Sequence, residues 1–189
     1  FPARRVRHNF EGLASIFPSQ YLLSFVMPTA EEPVTDDPAF DLSRVLRSRM
    51  LGVLGMAWRA AEMSEGTRAA IAHHISFYKL IRPILREGMT MLLGPQQVTY
   101  PDQPWLGWEV LQHVSATTGD AVIAAFESRD APESIVVFPK GLRSEATYSA
   151  ESADFGALGT ATGADLMSHG IEIRTSSLTR SHVVILRAQ

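Results

Sequence analysis

Between Pro18 and Pro28 the chain runs Tyr21-Leu22-Leu23-Ser24-Phe25-Val26-Met27, and this short, almost uninterrupted apolar stretch restricts the possible folds more than any other feature. It is too short for a typical core helix and is closed at both ends by proline, so it reads as a strand. A strand apolar at every position is one buried on both faces, the usual condition of a parallel sheet covered by helices. The flanking sequence agrees. Phe10, Leu13 and Ala14 fall at helical spacing behind Arg4, Arg5 and Arg7, giving an amphipathic helix that ends before Pro18. The prolines and acids of 29–38 make a loop, and Asp41 then offers an N-cap for a helix carrying Leu42, Val45, Leu46 and Met50. Gly52 to Trp58 fits either the end of that helix or a second buried strand. Ser64 caps a long helix with an apolar stripe of Ile71, Ile75, Tyr78, Ile81 and Leu85, which Pro83 is expected to bend before Gly88.

Beyond Gly94 the texture changes. Pro95, Pro101 and Pro104 mark a connector, and the remainder breaks into short runs rich in β-branched and aromatic residues: Trp108 to Ser115, Ala121 to Glu127, Ile135 to Phe138, Thr147 to Glu151, Ile171 to Arg174 and Val183 to Arg187. Thr118-Gly119-Asp120 is a hairpin signal between the first two. The spacing predicts an antiparallel β-sandwich over 95–189, behind an α/β region over 1–94.

With 17 basic and 20 acidic residues there is no electrostatic footprint for nucleic acid or an anionic membrane. No cysteine is present, which excludes disulfides and thiolate-held metals but leaves the compartment open, with the cytoplasm as the expectation. No apolar run is long enough to span a bilayer. The chain starts at Phe1 in what reads as mid-helix, so it is expected to be a piece of a longer protein.

The residues that could carry chemistry are few. Glu31, Glu32, Asp36 and Asp37 lie in the Pro-rich loop and read as a solvated acidic face; Glu11, Glu62, Glu65 and Glu87 lie on or near helices. His73-His74 are about 100° apart on a helix and cannot share a metal as an i, i+4 pair would. Ser24 lacks a nucleophile elbow. Gly156-Ala157-Leu158-Gly159-Thr160 lacks the lysine of a phosphate loop and reads as a turn between strands. Trp105 and Trp108 could stack on a sugar ring or pack a domain junction. No metal or organic cofactor is expected.

The order of elements, with Phe17-Pro18-Ser19-Gln20 before the first buried strand and Gly52-Val53-Leu54-Gly55 before the long helix, resembles the end of the glycoside hydrolase family 36, or melibiase-type, α-galactosidases. Ile75-Ser76-Phe77-Tyr78-Lys79-Leu80-Ile81-Arg82 looks like the family's last barrel helix. Lys140-Gly141-Leu142 with Ala146-Thr147-Tyr148, and the segment from Thr162-Gly163-Ala164-Asp165-Leu166-Met167 to Gly170-Ile171, are similar to its C-terminal strand motifs. The resemblance covers nearly the whole chain. It implies that 1–94 is the C-terminal portion of a (β/α)8 TIM barrel, with Tyr21 to Phe25 and Gly52 to Trp58 as its last two strands. It also implies a retaining α-glycosidase whose nucleophile and acid/base lie upstream of Phe1, so that the piece alone is inactive. Met27, Gly52 and Trp105 are then the candidate substrate-pocket residues. The expected partners are a carbohydrate and either the missing N-terminal portion or further copies of the chain. Where the family presents polar sugar-binding strand ends, this chain has Tyr21-Leu22-Leu23-Ser24 and Leu51-Gly52-Val53, so a different sugar preference is implied. The alternative is a noncatalytic carbohydrate-binding or structural β-sandwich module.

Overall fold

A computed structural model describes residues 2–30, 32–95 and 107–189. Helix α1 (Ala3–Ala14) buries Ala3, Arg7, Phe10 and Glu11, the i, i+4, i+7, i+8 stripe of an amphipathic helix. Strand β1 (Leu23–Val26) follows. Helix α2 (Leu42–Arg47) is capped by Asp41, whose carboxylate accepts from Arg44 N at 2.9 Å. Strand β2 (Val53–Met56) then lies parallel to β1, with Leu23 opposite Val53 and Val26 opposite Met56. The ambiguity over Gly52 to Trp58 is thus resolved as strand. Helix α3 (Glu65–Glu87) starts at Ser64, whose hydroxyl accepts from Thr67 N at 3.0 Å. Its Tyr78 hydroxyl donates to Gly52 O at 2.8 Å and accepts from Leu54 N at 3.2 Å, tying the helix to the start of β2.

The expectation for the first apolar run needs a correction. Leu22 and Val26 are buried, but Tyr21, Leu23, Phe25 and Met27 remain 72, 54, 50 and 46% exposed. The side chains of a strand alternate between faces, and among the described residues only one face of the β1–β2 pair is covered.

The second half is built on one six-stranded sheet in the order β3-β4-β5-β10-β7-β8. Its strands are β3 (Gly88–Leu92), β4 (Trp108–Ser115), β5 (Ala121–Glu127), β7 (Thr147–Ser152), β8 (Gly156–Thr162) and β10 (Ser181–Ala188), all antiparallel to their neighbours. β6 (Ser134–Val137) and β9 (Ile171–Arg174) form a separate two-stranded sheet, and helix α4 (Gly163–His169) lies between β8 and β9 in the chain.

Both faces of the central strands are used. Val122, Val183 and Ile185 pack with Val26, Leu46, Ile81 and Ile84 of the helical half, while Ala124 and Phe126 pack with Phe10, Leu22 and Leu51. On the opposite face Ala121, Ile123, Ala125, Val184 and Leu186 pack with Val137, Leu142, Leu166 and Ile173. The sheet is therefore a middle layer, with helices on one side and the small sheet plus α4 on the other. The expected sandwich is lopsided, because helices take the place of a second full sheet on the inner face.

Two further points differ from expectation. Gly156 to Thr160 is part of strand β8, paired with β7, and not a turn. Gly156 and Gly159 hold φ of +71 and +127 beside a register shift at Ala150/Glu151, a backbone that residues with side chains rarely adopt. β3, which no periodicity announced, continues directly from α3 and pairs with β4 from Gly88 opposite Ser115.

Candidate functional site

The C-terminal ends of β1 and β2 point the same way, and the loops that leave them build one face of the molecule. In parallel α/β arrangements this is the face where strand ends present functional groups. A crevice of about 510 Å³ opens there, lined by Pro28, Asp36, Ala57, Trp58, Arg59 and Glu62 together with neighbours on the same loops. Trp58 is half-buried, so part of its ring is available to the crevice. Asp36 is fixed by its neighbours: Oδ1 accepts from Thr67 Oγ1 at 2.6 Å and from Ser64 Oγ at 3.0 Å. These bonds hold its carboxyl below the usual carboxylate range.

The other acids of this face are engaged as well. Glu32 accepts from Ala3 N at 2.6 Å and pairs with Arg49 Nη2 at 2.8 Å. Asp37 accepts from Ala39 N at 2.9 Å, and Glu62 pairs with Arg59 at 2.9 Å. A retaining glycosidase needs a carboxyl with a raised pKa as proton donor, opposite a nucleophilic carboxylate. Among the described residues the carboxyl held well above its usual value is that of Glu11, raised to about 9 by burial, by its hydrogen bond to Glu109 and by the charge of Glu109. Glu11 is 3% exposed on the sheet-facing side of α1, away from the strand ends. It belongs to a buried ionic group in which Arg7 Nε bonds Glu109 Oε2 at 2.9 Å, Arg7 Nη1 bonds Ser48 Oγ at 2.8 Å, and the guanidinium lies 4.3 Å from the Phe126 ring centroid. This group fastens α1 and α2 to the sheet.

The candidate residues fall in different places. Met27 follows the last residue of β1 and lines a hollow with Leu13, Tyr21 and Phe25. Gly52 precedes β2, at the opposite end of the strand pair, and lines another hollow with Tyr78, Arg82 and Arg86. A Cβ at Gly52 would meet Leu22 O at 2.5 Å and Ser19 O at 2.8 Å, so the close approach of β2 to the turn before β1 accounts for glycine there. The structure does not bring Met27 and Gly52 together, and Trp105 lies outside the described residues. Trp108 is buried, its Nε1 donates to Pro132 O at 3.1 Å, and its ring lies 5.4 Å from that of His182, so it packs in the core between the large sheet and the small sheet, away from the helical half. Trp58 was not singled out by sequence reasoning, although an aromatic residue two positions past a parallel strand was the available signal.

The histidines have local roles. His74 Nε2 lies 3.2 Å from Ser43 Oγ and His113 Nδ1 3.1 Å from Thr90 Oγ1; burial lowers both to about 4. Among the described residues no group of three His, Cys, Asp or Glu is placed to hold a metal, and no helix is long and apolar enough to cross a membrane.

No family model matches the sequence, and no curated protein is detectably similar to it. Solved structures do match. A variant of the glycoside hydrolase family 36 α-galactosidase of Geobacillus stearothermophilus, in complex with 1-deoxygalactonojirimycin, superposes with a TM-score of 0.73 at 21% identity, covering 99% of this chain and 24% of that one. The α-galactosidase of Lactobacillus brevis gives 0.73 at 19% identity over 99% of this chain and 25% of its own. The galactosidase domain of an α-galactosidase-sucrose kinase gives 0.73 at 16% over 97% and 24%. The chain thus has the mixed α/β, mainly antiparallel fold of the C-terminal part of these enzymes, and spans about a quarter of their length.

Proposed function

We propose that this chain is the C-terminal part of a retaining, α-galactosidase-like glycosidase acting on α-linked sugars. Residues 1–94 would supply the last two β/α units of a (β/α)8 barrel, and 95–189 the β domain that follows, with the β3 segment aligned to the latter by its pairing. The observation that carries this reading is the parallel β1–β2 pair, entered from helices and joined through α3 to an antiparallel sheet, in a fold that superposes on family 36 enzymes along 99% of the chain. In such a barrel the pair contributes wall, and the two reacting carboxylates stand on other strands. The loop-face acids described above are held by ion pairs or by hydrogen bonds from neighbouring hydroxyl and backbone N–H groups, and the chain by itself is proposed to be inactive.

The half-buried Trp58 ring supports a sugar pocket, since the C–H face of a pyranose packs on aromatic surface. Met27, Trp58 and Trp105 are proposed to supply that wall, while Gly52 acts from the far end of β2 by permitting the close strand–turn approach. The exposed face of Tyr21, Leu23, Phe25 and Val53 is proposed to be covered by the remaining staves of the barrel or by a second copy.

The test is hydrolysis of an aryl α-galactoside by the full-length gene product, with proton NMR of the first-formed sugar. The α-anomer is expected, together with no turnover by the 189-residue chain alone. A first-formed β-anomer, or inertness toward all aryl α-glycosides, ends the reading. In the second case a noncatalytic carbohydrate-binding or structural module becomes the better account. It is favoured by the self-contained core between the large sheet, the small sheet and α4.

A further inference from the structure

The segment that leads into α2 carries a backbone outlier. Val34 holds φ of +51, the left-handed region, and among the described residues it is the one residue other than glycine with a positive φ. In that region the Cβ of an L-residue crowds its own backbone, and a β-branched side chain is poorly suited to it. Val34 is nonetheless buried, in one cluster with Leu42 and Val45 of α2 and Ile71 of α3. A strained residue persists only where its surroundings over-determine it, and such residues gather at clamps and switch segments. Before it, Glu32 is pinned by Arg49 at 2.8 Å. After it, the chain is held by Asp36.

Asp36 is fastened to the first turn of α3 by a reciprocal pair. Its N–H donates to Thr67 Oγ1 at 3.2 Å, and its Oδ1 accepts from the same hydroxyl at 2.6 Å. Thr67 is buried, so that hydroxyl has a fixed place. The other carboxylate oxygen lies against Gly66, where an added Cβ would stand 1.9 Å from Asp36 Oδ2. Gly66 is the second residue of a 23-residue helix, a place where glycine is less stable than alanine and where no left-handed φ calls for it. The carboxylate accounts for the glycine. A strained valine and a helical glycine thus both serve the seating of one side chain. The same segment supplies Pro33, Val34 and Asp36 to the strand-end crevice, and the segment after β2 supplies Trp58, Arg59 and Glu62.

We infer that residues 33–37 form a strap with two positions. In the position seen here Asp36 latches the strap to α3 and Val34 is strained. With the latch undone, Val34 leaves the left-handed region and the strap swings away from Trp58, widening the crevice. The device is independent of what the crevice binds, and so of the glycosidase reading.

Hydrogen exchange of the 189-residue chain, read by mass spectrometry over 33–40 with 121–127 of β5 as the control for global stability, tests the latch. Asp36→Ala and Thr67→Val, the second preserving the buried shape, should each lower protection of the strap about tenfold or more and leave 121–127 unchanged. Gly66→Ala is the sharper case. Helix propensity alone makes it firm α3 and leave the strap as it was, whereas displacement of the carboxylate should release the strap as Asp36→Ala does. The double variant D36A/G66A should then be no looser than D36A. Because the chain has no cysteine, spin labels attached through D37C and E62C report the width of the crevice, and D36A should lengthen and broaden their distance distribution. Strap protection within about twofold of the parent in both D36A and T67V, or an equal loss over 121–127, overturns the proposal. So does a strap unchanged or tightened by G66A, a double variant looser than D36A, or an unaltered label distance in D36A.

Discussion

The strand β1 and the strand β5 have nearly the same kind of sequence, Leu23-Ser24-Phe25-Val26 within a longer apolar run and Ala121-Val122-Ile123-Ala124-Ala125-Phe126, yet their environments differ. Every residue of β5 is buried, with alternate side chains packed into cores on opposite sides of the sheet. In β1 only Val26 is fully buried, and Leu23 and Phe25 look outward. An apolar pattern reports what a strand requires. Whether the described chain meets that requirement depends on how many layers it supplies, and it supplies two for β5 but one for β1.

Five measurements would break or sharpen that contrast. Phe126→Ala, in β5 beneath the Arg7 guanidinium, should cost about 3–5 kcal/mol in urea unfolding; a loss near zero would mean the central sheet is not the core. Arg7→Met should cost about 3 kcal/mol, because Glu109 is left buried without its partner cation, while Arg7→Met with Glu109→Leu should recover most of the loss. A double variant as unstable as the single one would show that the pair does more than neutralise itself. Asp41 caps α2 and also accepts from Thr179 Oγ1 at 2.8 Å and Arg180 N at 2.7 Å, so Asp41→Ala should lower stability by about 1–2 kcal/mol.

The fourth concerns pH. Glu11 keeps its proton to about pH 9 when folded, against a usual value of 4.5, so the folded state holds the extra proton in that window and stability falls as pH rises through it. His74 and His113, lowered from 6.5 to about 4, act in the opposite sense: the unfolded chain takes up their protons first, and stability falls as pH drops below 6.5. Two histidines outweigh one carboxyl below that point, which places the maximum near pH 6.5. Glu11→Gln should flatten the upper limb and raise stability at pH 8 by about 1 kcal/mol or more; an unchanged limb would mean that Glu11 is ionised in the fold. The smallest effect is expected at the exposed strand. Phe25→Ala should change monomer stability by no more than about 0.5 kcal/mol, with any change appearing as weaker self-association in light scattering. A core-sized loss there would show that its outer face is covered.

Much of the fold was legible in the residues. The caps at Asp41 and Ser64, the stripe on α3, the hairpin at Gly119 and most of the strands of the second half follow from local patterns, and they lie close to where those patterns put them. β3 was not legible, because Gly88-Met89-Thr90-Met91-Leu92 has no alternation of its own and becomes a strand only by pairing with β4. β8 was misread for a related reason: its glycines look like turn punctuation, and pairing with β7 makes them strand. Of the candidate residues, Met27 does lie at a strand end, whereas Trp58 was not singled out.

Sequence alone determined the helical first half, the β-rich second half, the absence of cysteine chemistry and the apolar strand ahead of a Pro-rich loop, since these depend on composition and on interactions within a few residues. Tertiary structure decided that the two strands lie parallel, that helices cover the inner face of the antiparallel sheet, and that Arg7, Glu11 and Glu109 share one buried site. Those outcomes depend on which surfaces meet across distances in sequence that run from about 30 residues for the strand pair to 102 for Arg7 and Glu109, and a buried charge or an open strand face acquires its energy only from what is placed against it.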